Sequence, residues 1–149
     1  MVKINVYYFF LNTVYMCTVS VVVGVDAGLD ESSVDDVRQT EDRIVSQWGE
    51  VSADQQHELC DRFDEIFRPL GYETSLVVIR RANSLAMYFI SMTLSALMSL
   101  RDQWSSGQLK DIVQKLFALL SRDRVRVSRL TWPLSDYERC SSFFSSEQG

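Results

Sequence analysis

A chain of 149 residues that is 46% hydrophobic and 23% charged has the length for one core and the make-up of a folded protein. This excludes a disordered tail, a fibrous repeat and two full domains. A net charge of -5 argues against a nucleic-acid binder, which is more often basic overall.

The charge is uneven along the chain. Residues 26–65 carry thirteen acids against Arg38, Arg43 and Arg62, a balance of -10, whereas residues 66–149 carry eleven basic groups against seven acids, or +4. Such a division reads as solvated helix faces, or as an acidic and a basic side that steer a partner. Cys17, Cys60 and Cys140 are an odd set without metal-ligand spacing. They are expected to be reduced, buried thiols, and the chain to be cytoplasmic.

Residues 4–23 hold no charge, with Lys3 before them and Asp26 after. Twenty such residues would span a bilayer as a helix, so a membrane contact is expected only if 4–23 form an anchor. They also fit a secretory leader cut after Ala27. Val, Tyr, Phe and Thr dominate, however, and these are strand formers. A strand over 17–23 stands beside the alternative of a secreted or membrane-anchored protein, and 1–27 form a segment of their own.

Beyond a polar linker at 28–33, Val34, Val37, Ile44, Val45 and Trp48 keep helical spacing up to Gly49. Ser52, Ala53, Asp54 and Gln55 read as a capping box. The helix it opens carries Leu59, Phe63, Ile66, Phe67 and Leu70 on one stripe and ends at Pro69 and Gly71. Two strands, 75–81 and 84–92, are expected to join through Ala82 and Asn83. With that loop, Leu76, Val78, Arg80, Leu85, Met87 and Phe89 share one face. Val77, Ile79, Arg81, Ala86, Tyr88 and Ile90 share the other.

Two helical runs follow, one carrying Leu94, Leu97, Met98 and Trp104, the other Leu109, Ile112, Val113, Leu116, Phe117 and Leu120, with Gly107 at the joint. A last strand spans 124–131. A second capping box, Ser135 to Glu138 in sequence, opens a helix with Tyr137, Cys140 and Phe144. Residues 145–149 are expected to fray. The order predicts an α+β fold on the ferredoxin-like split βαβ plan, an antiparallel-rich sheet with helices on one face, as a single interaction domain over 28–144.

No catalytic residue, metal or cofactor is expected. His57 is the single histidine and sits on a polar helix start, Cys60 on the next turn flanks the apolar stripe, and Asp61, Asp64 and Glu65 read as a solvated face. No glycine-rich phosphate loop is present. An RNA-recognition module shares the split βαβ plan and stands as an alternative, but on strand 84–92 only Tyr88 could stack a base. The open face instead predicts a protein-binding site, with Val77, Ile79, Tyr88 and Ile90 as an apolar patch rimmed by Arg81, Arg124 and Arg126.

Residues 55–144 resemble the N-terminal domain of the tumour-necrosis-factor-receptor death-domain adaptor, the TRADD-like N-terminal domain. The resemblance rests on Gln55-Gln56 at a helix start, on the strand pair, and on Leu100-Arg101-Asp102-Gln103-Trp104-Ser105-Ser106-Gly107-Gln108-Leu109. It rests also on Tyr137-Glu138-Arg139-Cys140 after the last strand. It implies a ferredoxin-like sandwich that binds a trimeric TRAF-type signalling adaptor through its sheet, in cytoplasmic death-receptor or inflammatory signalling (apoptosis). The family's first strand has no counterpart in the tyrosine-rich opening.

Overall fold

Alternation along one valine-rich segment builds the middle of the molecule. The structure, a computed structural model, describes residues 16–26, 34–54, 58–121 and 125–148. Strand β1 (Cys17–Asp26) buries Cys17, Val19, Val21, Val23 and Val25 and turns Thr18, Ser20, Val22, Gly24 and Asp26 to the other side. Strand residues point alternately to the two faces, and β-branched side chains suit the pleat.

After β1 come helices α1 (Val34–Ala53) and α2 (Cys60–Phe67), a 3-10 turn (Arg68–Leu70), and the strands β2 (Thr74–Arg81) and β3 (Leu85–Ser91). Helices α3 (Leu94–Ser106) and α4 (Gln108–Ser121), strand β4 (Arg126–Thr131) and helix α5 (Leu134–Gln148) complete the order. The four strands form an antiparallel sheet in the order β2-β3-β1-β4. Helices cover one face of it. Val19, Val21, Val23, Leu85, Met87 and Phe89 point into that layer and meet Ile44, Trp48, Phe63, Leu97, Leu116 and Phe117.

The segment between residues 4 and 23 is therefore not one helix, because residues 17–23 belong to β1, one of the two inner strands of the sheet. Residues 4–15 and Ala27 lie outside the described residues. Among the described residues, no helix is long and apolar enough to cross a membrane.

Four local readings change in three dimensions. Gly49 does not stop α1, since the fully buried Val51 holds one more turn on the core. Ser52 consequently lies inside α1 and donates back to the Gly49 carbonyl at 3.5 Å instead of opening a new helix. On α3 the buried positions are Leu97 and Leu100, and Met98 is half exposed; Thr93 caps the helix by accepting the Ala96 N–H at 3.1 Å. Helix α5 runs to Gln148, past the expected fraying point at Phe144. Gly107, at φ 90°, takes the left-handed conformation that lets α3 end and α4 begin at once.

The cysteines are the largest correction. Cys17 and Cys140 form a disulfide between β1 and α5, with Cα atoms 5.7 Å apart, and only Cys60 is a free, buried thiol. Sequence spacing gave no sign of this because 123 positions separate the pair.

Candidate interaction surface on the open sheet face

The register of β2 against β3 decides which residues reach the open face. Near the turn, Arg81 pairs with Leu85, Arg80 with Ala86, Ile79 with Met87 and Val78 with Tyr88. The connection is thus three residues long, Ala82 to Ser84, and the Ala82 N–H donates to the Ser84 carbonyl at 2.8 Å. A bulge between Leu76 and Val78 then restores the expected pairing, so that Leu76 opposes Phe89 and Ser75 opposes Ile90. Val77 is the residue that the ladder skips. Its carbonyl accepts the Trp48 indole N–H at 3.2 Å, which satisfies a group the bulge leaves unpaired.

A one-residue shift of register exchanges the two faces of a strand. Ile79 and Arg81 therefore belong to the helix side and not to the open patch. Ile79 is buried in the core. Arg81 pairs with α1, 3.2 Å from Glu41 and 2.8 Å from Asp42. Burial pushes the Glu41 carboxyl above its ordinary range, and the Asp42 charge adds to that, while Arg81 and Arg38 pull it down.

Tyr88, Ile90, Val77 and Arg126 do lie on or beside the open face, joined by Val22, Val78, Arg80 and Arg129. Arg124 falls outside the described residues. Thr18, Val77, Val78, Arg80, Tyr88 and Ile90 line a shallow depression of about 190 Å³. Arg80 lies over the Tyr88 ring at 5.4 Å, holding the aromatic edge with a guanidinium. Ile90 is only 1% exposed and forms the floor of the depression, whereas Val22, at 37%, stands out in the middle of the sheet. Arg126 pairs with Asp26 across β1 and β4 at 3.0 Å. A second bulge, between Gly24 and Val25, brings Ser128 over Gly24, where an added Cβ would come within 2.9 Å of the Ser128 hydroxyl.

Val22, Val78 and Arg80 escaped the sequence reading for two reasons. Val22 sits in a run of valines whose alternation is hidden by composition. Val78 and Arg80 needed the bulge, for which two adjacent valines opposite one tyrosine were the available sign. Among the described strand residues of this face Tyr88 is the single aromatic, and no group of three or more His, Cys, Asp or Glu among the described residues could hold a metal ion.

Side chains close the strand edges beside this surface. Gln114 of α4 donates to the Val125 carbonyl at 2.8 Å and accepts the Val127 N–H at 2.7 Å, pairing with β4 as a neighbouring strand would. Trp104 donates to the Leu130 carbonyl and Arg101 to the Trp132 carbonyl. Arg101 is itself enclosed by the rings of Trp104, Trp132 and Tyr137 at 4.2, 5.1 and 5.1 Å. β4 pairs with β1 only from Val22 onward, and α5 takes over the remaining edge of β1. There Asp136 accepts the Ser20 N–H at 3.1 Å and the Trp132 indole N–H at 3.0 Å, and Arg139 donates to the Thr18 carbonyl at 2.6 Å. The capping box expected at Ser135 does not form, since α5 already begins at Leu134 and Ser135 lies inside its first turn. Edges closed in this way, along β4 and the free part of β1, resist pairing with another chain.

Comparison of the chain with protein-family models, with curated proteins and with solved structures finds no match in any of the three.

Proposed function

We propose that this chain is a non-enzymatic interaction domain that takes a protein partner on its open sheet face. The observation that carries the reading is Val22, exposed on an inner strand opposite Ala86, with the Tyr88–Val78 pair one step along the same face, Arg80 beyond Ala86, and Arg129 and Arg126 toward the other end of β1. An apolar centre with an aromatic anchor and arginines at the margin is the composition of a docking surface. The antiparallel order, with helices between β1 and β2 and between β3 and β4, supports the ferredoxin-like split βαβ plan. That plan and the residues quoted above support a TRADD-like domain, with a trimeric TRAF-type adaptor as the partner to test first, in the cytoplasm.

Titrating a purified trimeric TRAF-type adaptor into the full chain tests the reading directly. Binding is expected for the parent, with Tyr88→Ala and Val22→Asp each weakening it by about tenfold or more. No binding by the parent removes this partner. Equal binding by parent and variants removes the face. Ile90→Glu is not a usable probe, because a charge at a 1% exposed position would disrupt folding before it touched a partner.

The disulfide favours a second reading of location, an oxidising compartment, where such bonds persist. Any processing compatible with the sheet lies before Cys17, since a cut after Ala27 would remove β1. Counting free thiols in material taken from its own cells under acid quench decides between the two. One free thiol supports the oxidising compartment and three support the reducing one.

A further inference from the structure

The disulfide sits where α5 replaces a strand. Cys17 opens β1, Cys140 lies on the facing turn of α5, and the residues around them are those that close the edge of β1. Arg139 bridges the two functions. One of its nitrogens donates to the Cys17 sulfur at 3.5 Å, another donates to the Thr18 carbonyl at 2.6 Å, and that second nitrogen also lies 3.0 Å from Asp136. Asp136 in turn holds the Ser20 N–H.

We propose that Cys17–Cys140 is a reversible redox site, a latch that keeps α5 on the edge of β1 and releases it on reduction by a dithiol. The sulfurs are enclosed, with Cys17 at 6% and Cys140 at 0% exposure, so attack follows fraying of the α5 turn that carries Cys140. A dithiol thiolate then attacks the Cys140 sulfur, the S–S bond breaks, and Cys17 leaves as a thiolate beside the Arg139 guanidinium. A neighbouring cation stabilises that leaving group and so favours this direction of attack. The second thiol of the dithiol attacks the mixed disulfide and expels the Cys140 thiolate. Both cysteines take up protons released by the dithiol. Two electrons have passed, the chain holds two thiols, and the dithiol has become a disulfide.

Without the bond, α5 is still held by Asp136, Arg139, the Arg101 contact with the Tyr137 ring and the packing of Tyr137, Phe143 and Phe144. Its departure frees the Ser20 N–H and the Thr18 carbonyl, and Thr18 is also a wall of the open-face depression. The latch thus couples the redox state of the chain to the shape of that surface, whatever molecule docks there.

Hydrogen exchange read by mass spectrometry on the full chain tests this, comparing the oxidised protein with protein treated with dithiothreitol. Amides of residues 18–21 and 134–148 are expected to exchange about tenfold faster or more after reduction, with β3 unchanged. Reoxidation is expected to restore protection. Cys140→Ser is expected to show the faster exchange without reductant and no response to it. Equal exchange in the two states overturns the latch, as does a rise spread equally over β3, or alkylation of three thiols in the oxidised chain.

Discussion

Phe89 and Tyr88 are neighbours in β3, yet they live in different environments. Phe89 is 1% exposed and packs with Val19 and Leu76 under the helices. Tyr88 stands on the opposite face, partly exposed, with Arg80 against its ring. The same contrast runs along β1, where Val21 is fully buried and Val22 is the most exposed valine of the strand. Both faces of this sheet are written in apolar letters, and hydrophobicity alone does not separate them. The helix layer does, and stability belongs to the side it covers.

The sharpest way to break that contrast is a pair of truncations one residue apart. Phe89→Ala is expected to lower stability by about 3–5 kcal/mol, since it removes a fully enclosed ring and leaves a cavity. Tyr88→Ala is expected to cost about 1 kcal/mol or less, as a partly exposed side chain outside the core. Urea denaturation of both variants measures the difference. Similar losses would mean that the open face is packed as tightly as the helix face.

The edges sharpen the comparison further, because they are closed by polar atoms and not by packing. Asp136→Ala removes the acceptor shared by the Ser20 N–H, the Trp132 indole and Arg139. A loss of about 2–3 kcal/mol is expected, given the charged acceptor and the donors left behind. Gln114→Leu keeps the volume of the side chain but strands the Val125 carbonyl and the Val127 N–H. About 1–2 kcal/mol is expected for it, and exposing the β4 edge is also expected to produce concentration-dependent self-association in sedimentation. A monomeric variant of unchanged stability would show that water replaces the amide.

What could be read in advance follows the same division. Helix α4 was legible because Leu109, Ile112, Val113, Leu116, Phe117 and Leu120 repeat at helical spacing and all are buried. The strand at 17–23 was legible as a strand from its valines, although its place in the middle of the sheet depends on β3 and β4 pairing across it. A two-residue loop would put Ile79 and Arg81 on the open face; one further residue in the turn, corrected by a bulge at Val77, reverses them. That information lies in Trp48, which reaches the Val77 carbonyl from 29 positions away. The disulfide, the Gln114 pairing and the use of Asp136 are likewise long-range arrangements of ordinary residues. Local patterns find faces and periods, and they do not find partners that only folding brings together.

The smallest expected effect concerns Arg81, the residue that moved from the open face to the covered one. Its partner Glu41 has a side chain only 8% exposed, and burial raises the pKa of that carboxyl above 4.5 despite the nearby guanidinium. Between the ordinary value and the raised one, the folded chain keeps a proton that the unfolded chain has released. Stability contributed by this group is therefore fully present below the ordinary carboxylate pKa and declines as pH rises through the raised value. Glu41→Gln abolishes the titration while keeping an acceptor near Arg81. The stability of the parent relative to this variant is expected to fall as pH rises from the acidic range toward neutrality, measured by urea denaturation at several pH values. A relative stability that rises with pH would mean that the attraction of Arg81 outweighs the burial of its partner, and that this corner is held by its ion pair.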